Sequence, residues 1–229
     1  MESAARLTRN LKSLAGQALS PRQYVQSAAY NRRLLRDLGG LVIDVGSGGF
    51  HTKFALPPGA RYFGLDLSSR ARHVRGDGHQ LPFAGQVADW VLLVAVLEHV
   101  EHPQRVLAEA MRVLKPGGKV YVAVPFLQME HAAADFWRWT AQGIPRLLEE
   151  AGLRIVEGGA NGGPLVAADY LLWHALRQAR REGRWWTMAL TGALKLVAQP
   201  LAWLDREGGE GAFATSFHYL AVRREYSSR

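Results

Sequence analysis

Short apolar runs rich in β-branched residues alternate with amphipathic stretches along the middle of the chain, and this alternation constrains the fold most strongly. The apolar runs have the length and composition of buried strands, whereas the stretches between them carry apolar residues at helical spacing. Strands that alternate with helices form a parallel sheet with right-handed crossovers, which predicts an α/β fold. The predicted strands lie at 41–44, 62–67, 73–76, within the apolar stretch 89–100, and at 119–125, 153–158 and 213–224. The predicted helices lie at 20–38, 103–114 and 140–151.

About fifty residues separate the last two predicted strands, where a short connection would suffice. Two apolar helices are predicted here, at 164–176 and 187–204, joined by an Arg- and Trp-rich turn at 177–186. Neither is a convincing membrane span, because the first is short and the second contains a lysine, a glutamine and a proline. Three roles stay open for this segment: a lid over a substrate crevice, a homodimer contact, and a peripheral membrane contact through 164–204.

Composition and charge exclude several classes of protein. The chain has no cysteine, which excludes disulfides, thiolate metal sites, cysteine nucleophiles and cysteine-held iron–sulfur clusters. The net charge is +8, and the excess lies at the ends: residues 1–40 carry seven Lys or Arg against two acidic residues, whereas 41–161 balance at zero. No secretory signal is visible at the N-terminus, so we expect a cytoplasmic protein, with attachment to the cytoplasmic face of a membrane as an alternative.

Three loops that follow predicted strands carry candidate binding residues. The first contains Asp44 and a run of glycines, which permit a tight turn and close approach of the backbone to a ligand. Asp66 ends the next strand, where a carboxylate can accept hydrogen bonds from both ribose hydroxyls of an adenosine ligand. Asp77 lies on the following loop. Each feature alone is also typical of a simple turn, and His51 breaks the dinucleotide fingerprint, which disfavours a nicotinamide oxidoreductase.

In their order along the chain, these loops and the string ADWVLLVAVLEHVEHPQRVLAEAMRVLKPGGKVYVAVPF resemble the class I S-adenosylmethionine (SAM)-dependent methyltransferases. The closest pattern is the ubiquinone/menaquinone-biosynthesis-like (type 11) branch, and the resemblance runs from Leu41 to Val156. It implies a doubly wound, Rossmann-like sheet of seven strands whose last strand is antiparallel, with SAM across the strands' C-terminal ends. A second string, HAAADFWRWT, resembles a signature of methyltransferases associated with polysaccharide or cell-envelope pathways.

The resemblance also implies a domain division and a set of cofactor-binding residues. It suggests one methyltransferase domain, in which N-terminal helices (1–38) precede the SAM-binding core (41–161), the helical insertion (162–211) and the last strand and tail (212–229). Phe50 stands where the family has its third loop glycine. The implied cofactor contacts are Asp44, Gly46, Ser47 and Gly48 with the methionine part, Asp66 and Leu67 with the ribose, Asp77, Gly78 and His79 with the adenine, and Val94 and Ala95 after strand four.

Two histidines, His99 and His131, are candidate general bases, because imidazole titrates near neutral pH and can accept a hydroxyl proton. His99 has a structural alternative as a loop cap, and alignment alone can accelerate methyl transfer. In the second string, Arg138 is a candidate ligand for a carboxylate or phosphate. The structural alternative is that Asp135, Arg138 and Thr140 form a salt bridge and a helix N-cap. No metal site is predicted.

The sequence therefore predicts an enzyme that transfers a methyl group from SAM to a small-molecule or glycan- or lipid-linked acceptor, on oxygen. Two alternatives stay open: a non-catalytic interaction module with the same fold, and a nucleic-acid methyltransferase that uses the basic ends. The second is disfavoured because Leu-Glu-His-Val follows strand four instead of an Asn/Asp-Pro-Pro-aromatic motif. The absence of cysteine also excludes the usual cytosine-C5 mechanism.

Overall fold

A seven-stranded mixed sheet organises the part of the chain that the computed structural model describes, which is residues 21–48, 56–67, 74–205 and 211–224. The strand order is β3-β2-β1-β4-β5-β7-β6, and β7 runs antiparallel to both of its neighbours. The predicted sheet is therefore confirmed. The strands are β1 Leu41–Val45, β2 Arg61–Asp66, β3 Val74–Arg75, β4 Ala88–Val94, β5 Leu114–Pro125, β6 Leu153–Asn161 and β7 Ser216–Arg223.

Helices cover both faces of this sheet. Short 3-10 turns occur at Leu97–His99 and Gly211–Phe213. The α-helices within the described ranges are α1 Arg22–Leu34, α2 Pro103–Val113, α3 Gly143–Glu150, α4 Pro164–Arg181 and α5 Trp185–Leu201.

Alternating residues of the central strands divide the core into two layers. Along β1 and β4, Ile43, Val91 and Leu93 point to one face and pack in the cluster that includes α2 and α3. Their sequence neighbours Val42 and Trp90 point to the other face, with residues just after α1. Successive side chains of a strand point to opposite faces, so a strand that is buried on both sides is a continuous apolar run in the sequence.

Several predicted boundaries are wrong by a few residues. The strand predicted within 89–100 begins at Ala88 and ends at Val94, and Ala95, with φ +55°, turns the chain after it. The helix predicted at 20–38 ends at Leu34, and position 20 lies outside the described residues. The strand predicted at 119–125 begins earlier, at Leu114, with a register irregularity opposite β4.

The insertion before β7 is a helical hairpin whose turn is shorter than predicted. Helix α4 continues through the Arg-rich stretch to Arg181, and the chain reverses at Gly183, which has φ +68°. Trp185 and Trp186, predicted to lie in the turn, form the first turn of α5. No helix in the described ranges combines the length and apolarity needed to cross a bilayer.

A buried ion pair joins the two helices of this hairpin. Lys195 of α5 and Asp169 of α4 are both fully buried and in direct contact. The second carboxylate oxygen of Asp169 accepts a hydrogen bond from the Arg22 N–H at the start of α1, at 3.0 Å. Tyr24 of α1 also packs edge-on against Trp173 of α4. The hairpin therefore fixes the position of α1.

Candidate active site

The turn after β1 brings a buried carboxylate and a glycine with positive φ to the C-terminal edge of the sheet. Asp44 is buried, and its Oδ2 accepts a hydrogen bond from the Tyr62 hydroxyl on the neighbouring strand. Burial and the Asp44 charge raise the pKa of Tyr62, which keeps the phenol protonated as the donor. Gly46 has φ +66°, and a Cβ here would lie 2.7 Å from Val96 Cγ2, so only glycine fits.

Asp66, at the end of β2, is joined to this turn. Its Oδ2 accepts a hydrogen bond from the Gly48 N–H at 2.8 Å, and the Ser47 N–H donates to the Leu65 carbonyl at 3.0 Å. Leu67 follows with its side chain exposed. The tertiary structure thus brings together the residues predicted to contact the methionine part and the ribose.

The turn after β3 is held by its own side chains. Asp77 Oδ1 accepts a hydrogen bond from the His79 N–H at 2.8 Å and lies 2.7 Å from His79 Nδ1. The backbone hydrogen bond is the larger cause that lowers the pKa of Asp77. A Cβ on Gly78 would lie 3.0 Å from Val45 Cγ1, so this turn packs directly on the end of β1. Contact with adenine remains a prediction, and Phe50 lies outside the described residues.

Val94, the last residue of β4, and Ala95 after it line a cavity of about 720 Å³. The Ala95 N–H donates to the Ala123 carbonyl at 2.9 Å, which stabilises the left-handed backbone conformation. Such a conformation costs an alanine about 1–2 kcal/mol. Strain of this kind is concentrated at functional sites, which agrees with the predicted position of Ala95 beside the cofactor.

Sequence reasoning did not assign a role to Glu98, the residue before His99. Its side chain is 1% exposed, and its Oε2 has no hydrogen-bond partner among the described residues. Burial raises the pKa of Glu98 to about 7, and the charge of Asp135 contributes further, against the lowering effects of a backbone N–H and Arg138. The signal in the sequence was an acidic residue directly after an apolar run.

His99 and His131 come together although 31 intervening residues separate them. Their ring centroids are 4.9 Å apart, nearly perpendicular. His99 Nδ1 lies 2.6 Å from the Ala134 carbonyl, and His99 Nε2 lies 3.9 Å from Glu98 Oε1. We call Glu98, His99 and His131 the Glu–His–His cluster; one ligand atom from each lies within 4.8 Å of the others.

The loop that carries His131 is fixed by an ion pair. Asp135 pairs with both terminal nitrogens of Arg138, which lowers the pKa of Asp135, and it accepts the His131 N–H at 3.0 Å. Arg138 also donates to backbone carbonyls, and the Thr140 hydroxyl accepts the Gly143 N–H at 3.0 Å. The predicted salt bridge is therefore confirmed for Asp135 and Arg138, whose guanidinium is not available as an anion ligand. The predicted N-cap is not: the N-cap position of α3 is Gln142, and Thr140 lies two residues before it.

The cavity lies between α1, the C-terminal ends of β4 and β5, and the N-terminal end of β7. Glu98 and His131 reach it, whereas none of the described residues between 164 and 205 lines it. The insertion is thus not a lid over this cavity in the structure; it supports α1, which covers one side. The other polar residues that line the cavity are Gln23, Tyr24, Ser27, Asn31, Arg32, Arg36, Gln128, Ser216 and His218.

A network of neutral polar groups forms part of the cavity wall. The Tyr121 hydroxyl donates to the Asn31 side-chain oxygen and lies 2.7 Å from His218 Nδ1. His218 Nε2 lies 3.1 Å from the Ser216 hydroxyl. Burial, with a smaller effect of Arg33, lowers the pKa of His218 to about 3, so this imidazole is neutral at physiological pH.

Several buried polar atoms near the cavity have no hydrogen-bond partner within the described ranges. They include Gln23 Oε1, Asn161 Oδ1 and Ser47 Oγ. Buried polar groups in native proteins are almost always hydrogen-bonded, so each of these atoms needs a partner such as water or a bound ligand.

Comparison with known proteins identifies the family. A family model described as a methyltransferase domain matches residues 43–122. An uncharacterized methyltransferase of Mycobacterium sp. (strain JLS) is 30% identical over 186 residues, covering 69% of this chain and 73% of that protein. An uncharacterized methyltransferase of Mycobacterium leprae (strain TN) is 32% identical over 158 residues, or 60% of this chain and only 58% of that protein.

Solved structures agree on the fold. Phosphoethanolamine N-methyltransferase 2 of Haemonchus contortus, determined in complex with SAM, has a TM-score of 0.53 and 16% identity; the alignment covers 90% of this chain and 54% of that chain. The sheet order, the antiparallel last strand and the loops at its C-terminal edge are those of a class I methyltransferase. The chain belongs to the SAM-dependent methyltransferase family, as its sequence predicts.

Proposed function

We propose that this protein transfers a methyl group from SAM to a hydroxyl of a neutral, polar, glycan-like acceptor that is linked to a lipid. The observation that carries this proposal is the cavity of about 720 Å³ that begins at Val94 and Ala95. It adjoins the edge of the sheet that carries the predicted cofactor residues, and neutral hydrogen-bonding groups line much of its wall.

The residues at the sheet edge fit SAM. The turn at Gly46 exposes backbone, the Ser47 hydroxyl is buried without a partner among the described residues, and Asp66 offers a carboxylate beside the same turn. The exposed turn allows the methionine part of SAM to approach, and the Ser47 hydroxyl suits a polar contact to it. The Asp66 carboxylate suits the ribose hydroxyls. When bound, SAM supplies a methyl group activated by its sulfonium sulfur.

The acceptor cavity favours hydroxyl groups. Amide and hydroxyl side chains such as Gln23, Ser27, Asn31 and Gln128 both donate and accept hydrogen bonds, as sugar hydroxyls do. The neutral His218 adds no charge at this wall. Methylation of a hydroxyl releases its proton, and the Glu–His–His cluster borders the cavity where it can promote that loss.

The outer face of the helical hairpin is an argument for a lipid-linked acceptor. In α5 the charged residue is buried and the large apolar residues are exposed, the reverse of an ordinary surface helix. Lys195, the single charged residue of α5, is fully buried. Meanwhile Trp185 is 72% exposed. The other exposed large apolar residues of α5 and the segment just after it are Trp186, Met188, Leu190, Leu194, Leu196, Val197, Leu201, Trp203 and Leu204.

The charges beside this apolar face match an anionic bilayer. Arg177, Arg180, Arg181 and Arg184 are exposed at the end of the hairpin, and Glu182 is the acidic residue among them. Tryptophan and arginine are favoured at the boundary between lipid headgroups and acyl chains. We propose that this face lies on the surface of a membrane that contains anionic lipid.

Vesicle sedimentation tests this contact. We expect the protein to sediment with vesicles of phosphatidylcholine and phosphatidylglycerol, and Leu196→Glu with Val197→Glu to abolish sedimentation. The matched control is Val156→Glu, an exposed apolar position on β6. If the wild type does not sediment but elutes as a dimer that the double variant dissociates, the face is a protein contact and the membrane proposal is wrong.

Calorimetric titration with SAM and with its demethylated product tests the cofactor assignment. We expect one saturable site. Asp66→Ala should weaken SAM binding about 10- to 100-fold, because each hydrogen bond to a charged group contributes about 1.5–3 kcal/mol. Asp37→Ala, an exposed carboxylate outside the site, is the control. Unchanged affinity in Asp66→Ala contradicts the placement of the ribose.

An acceptor screen then tests the substrate class. Formation of the demethylated product should occur with glycosides and increase with their lipid-linked forms. Transfer that occurs with RNA or amines but with no glycoside would contradict the proposed acceptor, while leaving the methyltransferase activity intact.

A further inference from the structure

We propose that Glu98, His99 and His131 bind one divalent transition-metal cation at the wall of the acceptor cavity. The sequence predicted no metal site, and the cluster exists because the loop after β5 folds back over the 3-10 turn after β4. Two imidazoles and one carboxylate are ligands that Zn²⁺ and neighbouring first-row cations prefer, whereas Mg²⁺ and Ca²⁺ prefer all-oxygen sites.

The distances between the ligand atoms are close to those that a cation requires. Metal–ligand bonds of about 2.0–2.2 Å allow two ligands of one ion to be at most about 4.4 Å apart. One atom from each residue of the cluster lies within 4.8 Å of the others, so small side-chain rotations complete the site.

Both histidines already have the outer contacts of metal ligands. The His99 ring nitrogen Nδ1 is 2.6 Å from the Ala134 carbonyl, so Nδ1 carries the proton and Nε2 presents its lone pair. His131 Nδ1 lies 3.2 Å from the Met129 carbonyl and 3.3 Å from Asp135 Oδ2. A carbonyl or carboxylate on the second ring nitrogen fixes the tautomer and orientation of a metal-binding histidine.

Glu98 gives a second, independent indication. Its carboxyl group is 1% exposed, and Oε2 has no hydrogen-bond partner among the described residues. The nearest arginine, Arg138, is already paired with Asp135. A buried carboxylate without a partner is costly, and a cation between Glu98 and the two imidazoles would supply the missing positive charge.

The position of the site suggests what the cation would do, and this part rests on the proposed function. Glu98 and His131 reach the acceptor cavity, so a three-ligand cation there keeps an open position toward the acceptor. A bound cation lowers the pKa of a coordinated hydroxyl, whose proton can then leave to solvent. A hydroxyl of the acceptor would occupy the fourth position of a tetrahedral cation.

Titration of chelator-treated protein with Zn²⁺, in the absence of SAM, tests the site by calorimetry. We expect one site per chain, with binding weakened about 10- to 100-fold or more in Glu98→Gln and in His131→Asn. His102→Asn removes an exposed histidine outside the cluster and should bind as the wild type does. A parallel titration with Mg²⁺ should show no binding at this site.

The outcomes separate this proposal from the proposed function. Zn²⁺ binding that persists in both cluster variants, or no saturable binding by the wild type, overturns the cation site. Titration of the same samples with SAM tests the cofactor site separately, since Glu98 and His131 are not assigned to it. If His131→Asn retains SAM affinity but loses Zn²⁺, the cation site is supported and a general loss of folding is excluded.

Discussion

Replacing Lys195 with methionine should be among the most destabilising single changes in the helical hairpin. The ammonium and the Asp169 carboxylate are both fully buried, so neither has water as an alternative partner. Methionine keeps most of the length and apolar volume of the side chain, which limits the cavity that the substitution creates. Asp169 then keeps the hydrogen bond from the Arg22 N–H at 3.0 Å. The substitution therefore leaves a buried, largely uncompensated negative charge.

The expected cost follows from this burial. Removing one partner of a buried ion pair destabilises a protein by about 3–5 kcal/mol. For a chain of 229 residues, each kcal/mol lowers Tm by about 2–4 °C, so a loss of about 4 kcal/mol corresponds to about 8–16 °C. The matched control is Lys115→Met, because Lys115 forms a 2.7 Å pair with Asp89 but is 45% exposed. Exposed pairs contribute about 0.2–1 kcal/mol, so the control should change Tm little.

The assay is urea unfolding and thermal melting of five proteins: the wild type, Lys195→Met, Asp169→Asn, the double variant of the last two, and the control Lys115→Met. The double variant removes both charges and retains an oxygen for the Arg22 N–H. We expect it to be more stable than the sum of the two single losses predicts, by at least about 2 kcal/mol. If Lys195→Met costs less than the exposed control, or if the two single losses simply add, the buried pair does not determine how the hairpin docks.

Two further predictions concern the sheet edge and the cavity wall. Gly46→Ala should lower the free energy of unfolding by about 1–2 kcal/mol because of its positive φ. The 2.7 Å clash with Val96 should lower it further, and urea unfolding measures the total. Gly59→Ala, with φ +85° and open space around it, should show the backbone cost alone. His218 has a folded pKa of about 3, below the unfolded 6.5, so its contribution to stability is complete above pH 6.5 and is lost as pH falls. The loss approaches about 1.4 kcal/mol per pH unit, and His218→Gln should remove this slope from the pH profile of unfolding.

Equal costs for the two glycine variants would contradict the close packing at Gly46. For His218, the comparison of two pH profiles matters, because Glu98 has a raised pKa and opposes the effect of His218 between pH 4.5 and 7. The variant and the wild type share Glu98, so its contribution cancels in the difference. Identical slopes in both proteins would mean that His218 is not held neutral in the folded state.

The sequence by itself determined the sheet and predicted which of its edges binds the cofactor. Strands buried on both faces must be continuous apolar runs, and a tight turn after such a strand needs glycine, so the pattern from Leu41 to Val45 and the turn at Gly46 are local signals. The same locality explains why Asp66 could be predicted to lie at this edge of the sheet. A residue at the end of a parallel strand faces the ligand-binding edge whatever packs elsewhere.

Only the tertiary structure decided which distant residues meet. Three features depend on segments that are far apart along the chain: the contact between His99 and His131, the burial of Glu98 Oε2 without a hydrogen-bond partner in the described ranges, and the pairing of Lys195 with Asp169. Hydropathy also predicted two apolar helices in the insertion without showing which face is covered. The apolar face of α5 points outward because Lys195, on the opposite face, is buried against Asp169. A lysine can be buried only where a carboxylate partner lies, and the fold decides where Asp169 lies.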